Sequence, residues 1–570
     1  MQKNDVISVT VEAIGSNGEG IAHFDGTTIF VPFVLENETA LVKVLKTKGN
    51  IAFCKLESLL SASSERAQPV CPVFKKCGGC QLQHLNYSAQ LKVKQNLVKT
   101  CLKKIGGIEF DVSETVSSPQ IYAYRNKLQL PIRSTKSGNK IGFFREGSHD
   151  VVEISECPLH GNWSGKLISA IKDYIDFSEV SCYDESAEKG LLKHLVAREI
   201  NGELLITVVA SKDQIPCVNR LIDRLKVDFN EFSLCLNVNK RKDNVIFGER
   251  YITLYGTGKI ALEEFGVRYE VGAQSFLQVN SAQKEKLYNR VFELSEADEN
   301  TVVIDGYSGA GVLTAMLAKR AKKAYGVEII EEAVTAADKL AKENGLEGRM
   351  ENICGDCAEI LPEIIGKSVS ENVKTVLVLD PPRKGVDRKI IDSIRACKPE
   401  KIVYVSCSPQ TLARDLGMII GNITDENKPK NDLYANVCNY ETVIVEPFDM
   451  FPNTKHVETL VCLSKKTEKH INIDVEFGEE AGQVSHKDIE KRALERAPKK
   501  KTTYKYIQTY IEEKYGFKVH TAYIAEVKRD LGLPMYNAPN AVEELKRPRS
   551  HPTTEMVEAI KDALKYFGII

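Results

Sequence analysis

A chain of 570 residues is too long for one hydrophobic core, so it must divide into several domains. Its 43% hydrophobic and 27% charged residues are ordinary for a folded protein, no apolar run approaches bilayer length, and the first ten residues lack a basic-then-apolar signal. A cytoplasmic protein with no membrane partner is therefore expected, and the net charge of −1 excludes a uniformly basic nucleic-acid coat while allowing local basic surfaces.

Residues 1–60 read as short alternating strands around Val6-Val9-Val11, Ile29-Val31, Leu41-Val42-Val44 and Ile51-Phe53. Gly15, Gly18, Gly20 and Asp25-Gly26 supply closely spaced turns, which predicts a small all-β barrel closed off by the polar stretch 61–68.

Residues 69–270 mix short strands with amphipathic pieces, and periodicity gives an α+β domain without a topology. Fifteen cysteines is many for a reducing compartment that disfavours structural disulfides, so some thiols should hold a metal or do chemistry. Cys71, Cys77 and Cys80, the last two flanking Gly78-Gly79, form a tight triplet that the remote Cys157 completes. Four thiolates so spaced suit either an iron–sulfur cubane or a four-cysteine zinc site. Tyr124-Arg125-Asn126-Lys127 and Gly142-Phe143-Phe144-Arg145 interleave aromatic and basic residues, a pattern suited to a stacked, flipped base.

Within 271–466 the rhythm becomes strand, helix, strand, helix, which implies a parallel, doubly wound sheet. Strands are expected at 302–305, 324–328, 350–354, 376–380 and 402–406, with later ones near Val443 and at 457–463. The first runs into Gly306-x-x-Gly309-x-Gly311 and a helix, where glycines admit a ligand to the backbone and the helix N-terminus adds donors. Glu328 ends the next strand, where a carboxylate can accept both ribose hydroxyls of a nucleoside. The loop spacing, Gly355-Asp356 after the third strand and Asp380-Pro381-Pro382 after the fourth favour S-adenosylmethionine over a dinucleotide. Cys354 and Cys357 read as packing residues beside Asp356.

Ser406-Cys407-Ser408-Pro409 stands at the carboxyl end of a buried strand, with a helix expected from near Thr411, which exposes the Cys407 sulfur near helix-end donors. Carbon 5 of uracil is a poor nucleophile until a thiolate adds at carbon 6, after which a base must take the carbon 5 proton. Cys407 fits the first role, and Glu458 at the start of the last strand fits the second.

Residues 467–501, with Pro498 before three lysines, read as a linker, and 502–570 as a helical accessory domain. Helices are expected at 504–514, 521–531 and 553–567, the last with Met556, Ile560 and Leu564 at helical spacing. From Lys487 onward 17 Lys and Arg against 12 Asp and Glu give a net of +5. An RNA-binding accessory and a dimerisation or docking module are both compatible with that charge.

The Ser406–Pro409 turn with Leu412-Ala413-Arg414-Asp415, the run Met450-Phe451-Pro452-Asn453-Thr454-Lys455-His456-Val457-Glu458, Asp380-Pro381-Pro382-Arg383-Lys384-Gly385 and Ser275-Phe276-Leu277-Gln278-Val279-Asn280 together resemble the RNA (uracil-5-)-methyltransferase family over about residues 6–464. The resemblance implies Cys407 as nucleophile, Glu458 as base, and Gln278, Tyr307, Glu328 and Asp380 as cofactor and active-site contacts. It also implies a 4Fe-4S cluster on Cys71, Cys77, Cys80 and Cys157, as in the ribosomal-RNA branch. Residues 1–60 resemble a TRAM domain, an OB-like RNA-binding barrel, through the Gly18-Glu19-Gly20-Ile21-Ala22 turn. Ser308 and Ser408 depart from many members without removing a reacting group.

The expected architecture is thus a multidomain α/β protein: TRAM barrel, central α+β domain with the cluster, Rossmann-like methyltransferase domain and small helical extension. The expected function is that of a monomeric S-adenosylmethionine-dependent RNA (uracil-5-)-methyltransferase acting on 23S ribosomal RNA. Transfer RNA is an alternative target. An RNA cytosine-5 enzyme would want a second cysteine where Pro382 stands, and an adenine N6 enzyme an aromatic where Arg383 stands. A non-enzymatic ribosome-assembly factor that merely keeps the fold is the alternative from another class.

Overall fold

The structure is a computed structural model that describes residues 1–371, 373–423, 439–466, 504–531, 533, 551–567 and 569. It divides into two units, Met1–Glu468 and Lys469–Ile570. The expected linker 467–501 lies outside the described residues.

The larger unit begins with a six-stranded barrel-like sheet: β1 (Val6–Thr10), β2 (Ala13–Ile14), β3 (Gly20–Phe24), β4 (Thr27–Val31), β5 (Thr39–Lys48) and β6 (Ile51–Ser61), in the order β1-β5-β6-β4-β3-β2. Alternation does the sorting: along β5, Ala40, Val42 and Val44 are buried and their neighbours are not. The carboxylate of Glu38, fully buried, accepts two bonds of 2.6 Å from the Arg66 guanidinium and so ties the following segment to the barrel. Helix α1 (Tyr87–Lys104) follows, capped by the Asn86 side chain.

The central sheet runs β13-β12-β11-β10-β7-β8-β9. Its strands are β7 (Lys127–Thr135), β8 (Gly138–Phe144), β9 (Val151–Glu153), β10 (Leu192–Ile200), β11 (Glu203–Ala210), β12 (Phe232–Val238) and β13 (Arg250–Tyr255), with α2 (Asn162–Ser178) and α3 (Val218–Asp228) packed on it. Periodicity could not give this topology because β10 and β11 are buried almost end to end. Leu204, Ile206 and Val208 pack with α2 and α3, while Leu205 belongs to the core shared with the next domain, so both faces are apolar and nothing alternates.

A hairpin of β14 (Lys259–Glu264) and β15 (Val267–Gly272) and the helix α4 (Ser281–Ser295) lead into the last sheet. There β16 (Thr301–Gly306), β17 (Lys323–Glu328), β18 (Met350–Cys354), β19 (Lys374–Leu379) and β20 (Lys401–Ser406) are parallel, in the order β18-β17-β16-β19-β20. Antiparallel β22 (Glu458–Lys465) and β21 (Tyr440–Phe448) extend it beyond β20. Helices α5 (Val312–Ala318), α6 (Glu331–Glu343), α7 (Cys357–Ser370), α8 (Arg388–Cys397) and α9 (Pro409–Ile419) connect the strands.

The smaller unit holds α10 (Tyr504–Tyr515), α11 (Thr521–Asp530) and α12 (Thr554–Tyr566), packed through buried Ile507, Ile511, Ile524, Val527, Ile560 and Leu564. Among the described residues, no helix is long and apolar enough to cross a membrane.

Candidate active site

The glycine loop leaves β16 at Gly306 and turns through three left-handed residues, Tyr307 (φ 67°), Gly309 (φ 56°) and Gly311 (φ 78°), the last capping α5. Glu328, at the end of β17, closes the loop from the side: its carboxylate accepts from the Gly309 N–H at 3.1 Å and the Ile330 N–H at 3.0 Å. Beneath the loop Asp305 accepts from Thr314 Oγ1 at 2.5 Å, and burial pushes its carboxyl up to about 7. Beyond Glu328 lie Ile329 and Ile330, 64% and 55% exposed, an apolar pair at the loop's rim that sequence reasoning missed. Of the paired thiols expected to pack, Cys357 does so, donating to the Val327 carbonyl at 3.6 Å. Cys354 is exposed instead, because the last residue of β18 stands at the sheet edge.

Cys407 sits half-buried in the turn between β20 and α9. The helix starts at Pro409, earlier than expected, because Ser408 caps it by accepting from the Thr411 N–H at 3.4 Å. Burial raises the Cys407 thiol, the Glu458 and Asp380 carboxylates raise it further, and the Arg383 guanidinium pulls it back. Glu458 opens β22 at 4% exposure, and its Oε2 is a buried oxygen without a hydrogen-bond partner among the described residues. Burial drives its carboxyl well above the usual carboxylate range, with Asp380 adding to the rise and Arg383 opposing it. Asp380, just past the end of β19, is pushed by burial to about 7. Arg383 is thus the cation that faces both reacting candidates, and it went unremarked as a site residue although it stands in the same Asp-Pro-Pro-Arg run.

Cys407, Glu458, Arg383 and Gln278 open onto one cavity of about 670 Å³. Tyr307, Glu328 and Asp380 do not line it; they surround the glycine loop at the carboxyl ends of β16, β17 and β19. Arg125, Lys127 and Arg198 face the cavity, and Phe276, 73% exposed, stands at it. The expectation for Tyr124 changes, since this ring is 6% exposed and its hydroxyl donates to the Pro452 carbonyl at 3.1 Å. Asn126 is likewise buried, donating to the Gln278 carbonyl at 3.0 Å, so of that segment only Arg125 and Lys127 reach the cavity. In the second aromatic segment Phe143 lines it, while Phe144 turns away to stack on His149 at 5.1 Å.

Cys71, Cys77, Cys80 and Cys157 line the same cavity. Burial lifts all four thiols, Cys80 to about 12 and Cys157 to about 11, and each of those two is raised further by the charge of the other cysteines. Among the described residues, no three His, Cys, Asp or Glu side chains are spaced to hold a single metal ion. The loop carrying Cys80 is bonded directly to the run that ends in Glu458: the N–H groups of Gln81 and Leu82 donate to the Asn453 carbonyl at 3.2 and 3.0 Å. From the other side α1 holds that run through Lys94, which donates to the Phe451 carbonyl at 3.0 Å, and Gln90, whose Oε1 accepts from the Asn453 N–H at 2.9 Å. Nothing in the spacing of α1 announced this bracing.

The tRNA (uracil-5-)-methyltransferase family matches residues 86–466, and the TRAM domain family matches residues 2–56. An uncharacterized RNA methyltransferase of Clostridium tetani is 36% identical over 467 residues, covering 81% of this chain and 97% of the relative. Another, of Clostridium acetobutylicum, is 37% identical over 473 residues, covering 82% and 98%. Among solved structures, the Pyrococcus abyssi tRNA (uracil-54, C5)-methyltransferase in complex with S-adenosyl-L-homocysteine is similar, with 28% identity and a TM-score of 0.62 over 80% of this chain and all of that one.

Proposed function

The chain belongs to the tRNA (uracil-5-)-methyltransferase family, a family of S-adenosylmethionine-dependent RNA methyltransferases, and carries a TRAM domain; from that premise we propose that it methylates carbon 5 of a uridine in 23S ribosomal RNA. The observation that carries the reading is the presence on one cavity of Cys407 and of Glu458, whose Oε2 has no hydrogen-bond partner among the described residues.

The residues present fit the donor: the left-handed loop leaves open space at Gly309, Glu328 presents a carboxylate beside it, and Ile329 and Ile330 offer an apolar rim. When bound there, S-adenosylmethionine supplies the electrophilic methyl group. Cys407 Sγ adds to carbon 6 of the uracil, and the electron pair so placed on carbon 5 takes the methyl group. Glu458 then accepts the carbon 5 proton, and re-formation of the 5,6 double bond expels the Cys407 thiolate. Arg383 favours the thiolate by its charge and its hydrogen bond to the sulfur. Asp380 keeps the Glu458 carboxyl a strong proton acceptor, since like charge raises its basicity.

The quartet Cys71, Cys77, Cys80 and Cys157, four half-buried cysteines lining one cavity, would hold a 4Fe-4S cluster. Methyl transfer consumes no electrons, so such a cluster would serve to fix the loop that grips Asn453. A transfer-RNA target is the second reading, favoured by the Pyrococcus abyssi enzyme, whose substrate is uracil 54 of tRNA. Mass mapping of 5-methyluridine in ribosomal and transfer RNA from a strain lacking this chain decides between them, and the reaction is refuted if neither RNA loses a methyl group.

A further inference from the structure

A second cavity, of about 340 Å³, opens at the far side of the central domain, where the chain turns before β10, after β11 and after β12. Its wall carries Lys189, Lys193, Lys212, Lys240, Arg241 and Lys242 against one acid, Glu188. Lys242 pairs with Glu188 and Arg241 with Asp243. Lys189, Lys212 and Lys240 are exposed and have no ion-pair partner among the described residues.

The floor of this cavity is built, not merely solvated. Lys193 is 4% exposed, and the β10–β11 register slips between Leu192 and His194, so Lys193 is the extra residue of a bulge, a device that re-aims a side chain. Its ammonium donates to the Arg241 carbonyl at 2.5 Å and lies 4.6 Å from the Tyr183 ring centre. Its carbonyl accepts from the Arg133 guanidinium at 2.7 Å. Buried Asn239 pins the far rim by donating to the Val245 and Ile246 carbonyls, both at 2.7 Å, and accepting from the Arg241 N–H at 2.8 Å. Lys189, Lys212 and Lys240 thus add positive charge to the cavity that no carboxylate among the described residues pairs, and an anion bound there would be favoured by that charge.

The ligand's nature follows from where β10 goes. Lys193 is near its start, and Arg198, five residues on, lines the active-site cavity, so the two cavities are about 17 Å apart along one strand. That is a span of a few nucleotides of a polynucleotide whose base occupies the first cavity. We propose that the second cavity binds a backbone phosphate of the substrate RNA, remote from the methylated base. The inference rests on the RNA-methyltransferase reading and adds a site that grips RNA without reading its sequence.

The test compares the full-length protein with Lys212→Glu, Lys240→Glu and the charge-keeping Lys212→Arg and Lys240→Arg variants. Each is titrated into two fluorescent RNAs, one a long transcript of the target region and one a short oligomer confined to the nucleotides around the uridine. The glutamate variants should bind the long RNA about tenfold more weakly, with the slope of log Kd against log salt reduced by about 0.7–0.9 per lost contact. The short oligomer and the arginine variants should bind as the wild type does. Equal affinity of glutamate variants and wild type for the long RNA overturns the proposal. So does an equal loss for both RNAs, or protection of Lys212 from acylation by inorganic phosphate alone and not by the long RNA, which marks a free-anion site. Methyl transfer is scored separately in the same samples, so a chain that grips long RNA through this cavity yet transfers no methyl group would refute the reaction and leave the site standing.

Discussion

Lys94 Nζ lies 2.5 Å from Asp449 Oδ1, with the two side chains 1% and 0% exposed, and this buried pair joins α1 to the residue just before the run that delivers Glu458. Asp449 Oδ2 is buried with no hydrogen-bond partner among the described residues, so the lysine is the cation that compensates that charge. Replacing Lys94 by Met strands the carboxylate and should cost about 3–5 kcal/mol of stability. The double variant Lys94→Met, Asp449→Asn should recover most of the loss in chemical denaturation. If it does not, the pair braces nothing.

Trapping checks the assignment of nucleophile and base. With 5-fluorouridine in the transcript, fluorine replaces the proton that Glu458 removes, and a protein–RNA adduct stable on a denaturing gel should form at Cys407. Cys407→Ala should form none while remaining folded. With ordinary uridine, Glu458→Gln should accumulate a methylated adduct, detected as the added mass of one methyl group. Wild-type turnover by Glu458→Gln would remove the glutamate from the mechanism.

The rate should climb with pH, because burial and Asp380 raise both Cys407 and Glu458, and each must lose its proton to act. Asp380→Asn removes the anion that raises both groups. The rising limb of the kcat–pH profile should then move to lower pH by of the order of one unit, whatever happens to the plateau. A limb that stays in place would show that Asp380 does not tune either group.

Two glycines of the cofactor loop should respond differently to the same change. A Cβ at Gly311 would meet Met350 Cε at 2.7 Å and Ala337 Cβ at 2.8 Å, whereas one at Gly309 meets nothing within 4 Å. Gly309→Ala should therefore cost stability only the backbone penalty of about 1–2 kcal/mol, although its Cβ would enter the open space assigned to S-adenosylmethionine. Gly311→Ala should lower the thermal midpoint further and weaken S-adenosylmethionine binding by calorimetry. Equal effects would mean that α5 and α6 yield easily.

Anaerobic purification should give iron and acid-labile sulfide in equal amounts, both lost in Cys80→Ser. The same variant should lower the thermal midpoint and leave a bare methyl-transfer step impaired only as far as the Asn453 loop loosens, read as a change in KM for RNA larger than that in kcat. A colourless, iron-free protein of full stability would refute the cluster.

Much of the methyltransferase sheet was legible because its parallel strands are short apolar runs, four of which end on or just before a polar or glycine residue that marks the boundary: Gly306, Glu328, Asp380 and Cys407. Strand 350–354 falls at its expected bounds, and 302–305 and 402–406 extend by only a residue or two. The central sheet was opaque because β10 and β11 are apolar on both faces and so lack the alternation that marks a strand. The bracing of Asn453 by Gln81, Leu82 and Gln90 was hidden for another reason. Its donors are peptide groups and an amide of ordinary helix and loop residues, and only the tertiary fold brings them together.

Gln90 and Asn453 are 363 residues apart in the sequence, yet they exchange side-chain and backbone hydrogen bonds. A ribosome making this chain therefore releases the cysteine loop and α1 long before their partner exists, and their donors stay solvated until nearly all of the larger unit has emerged. A nascent or truncated product ending before residue 453 holds every thiol of the quartet but no finished active site, so competence to modify RNA arrives only near the end of synthesis.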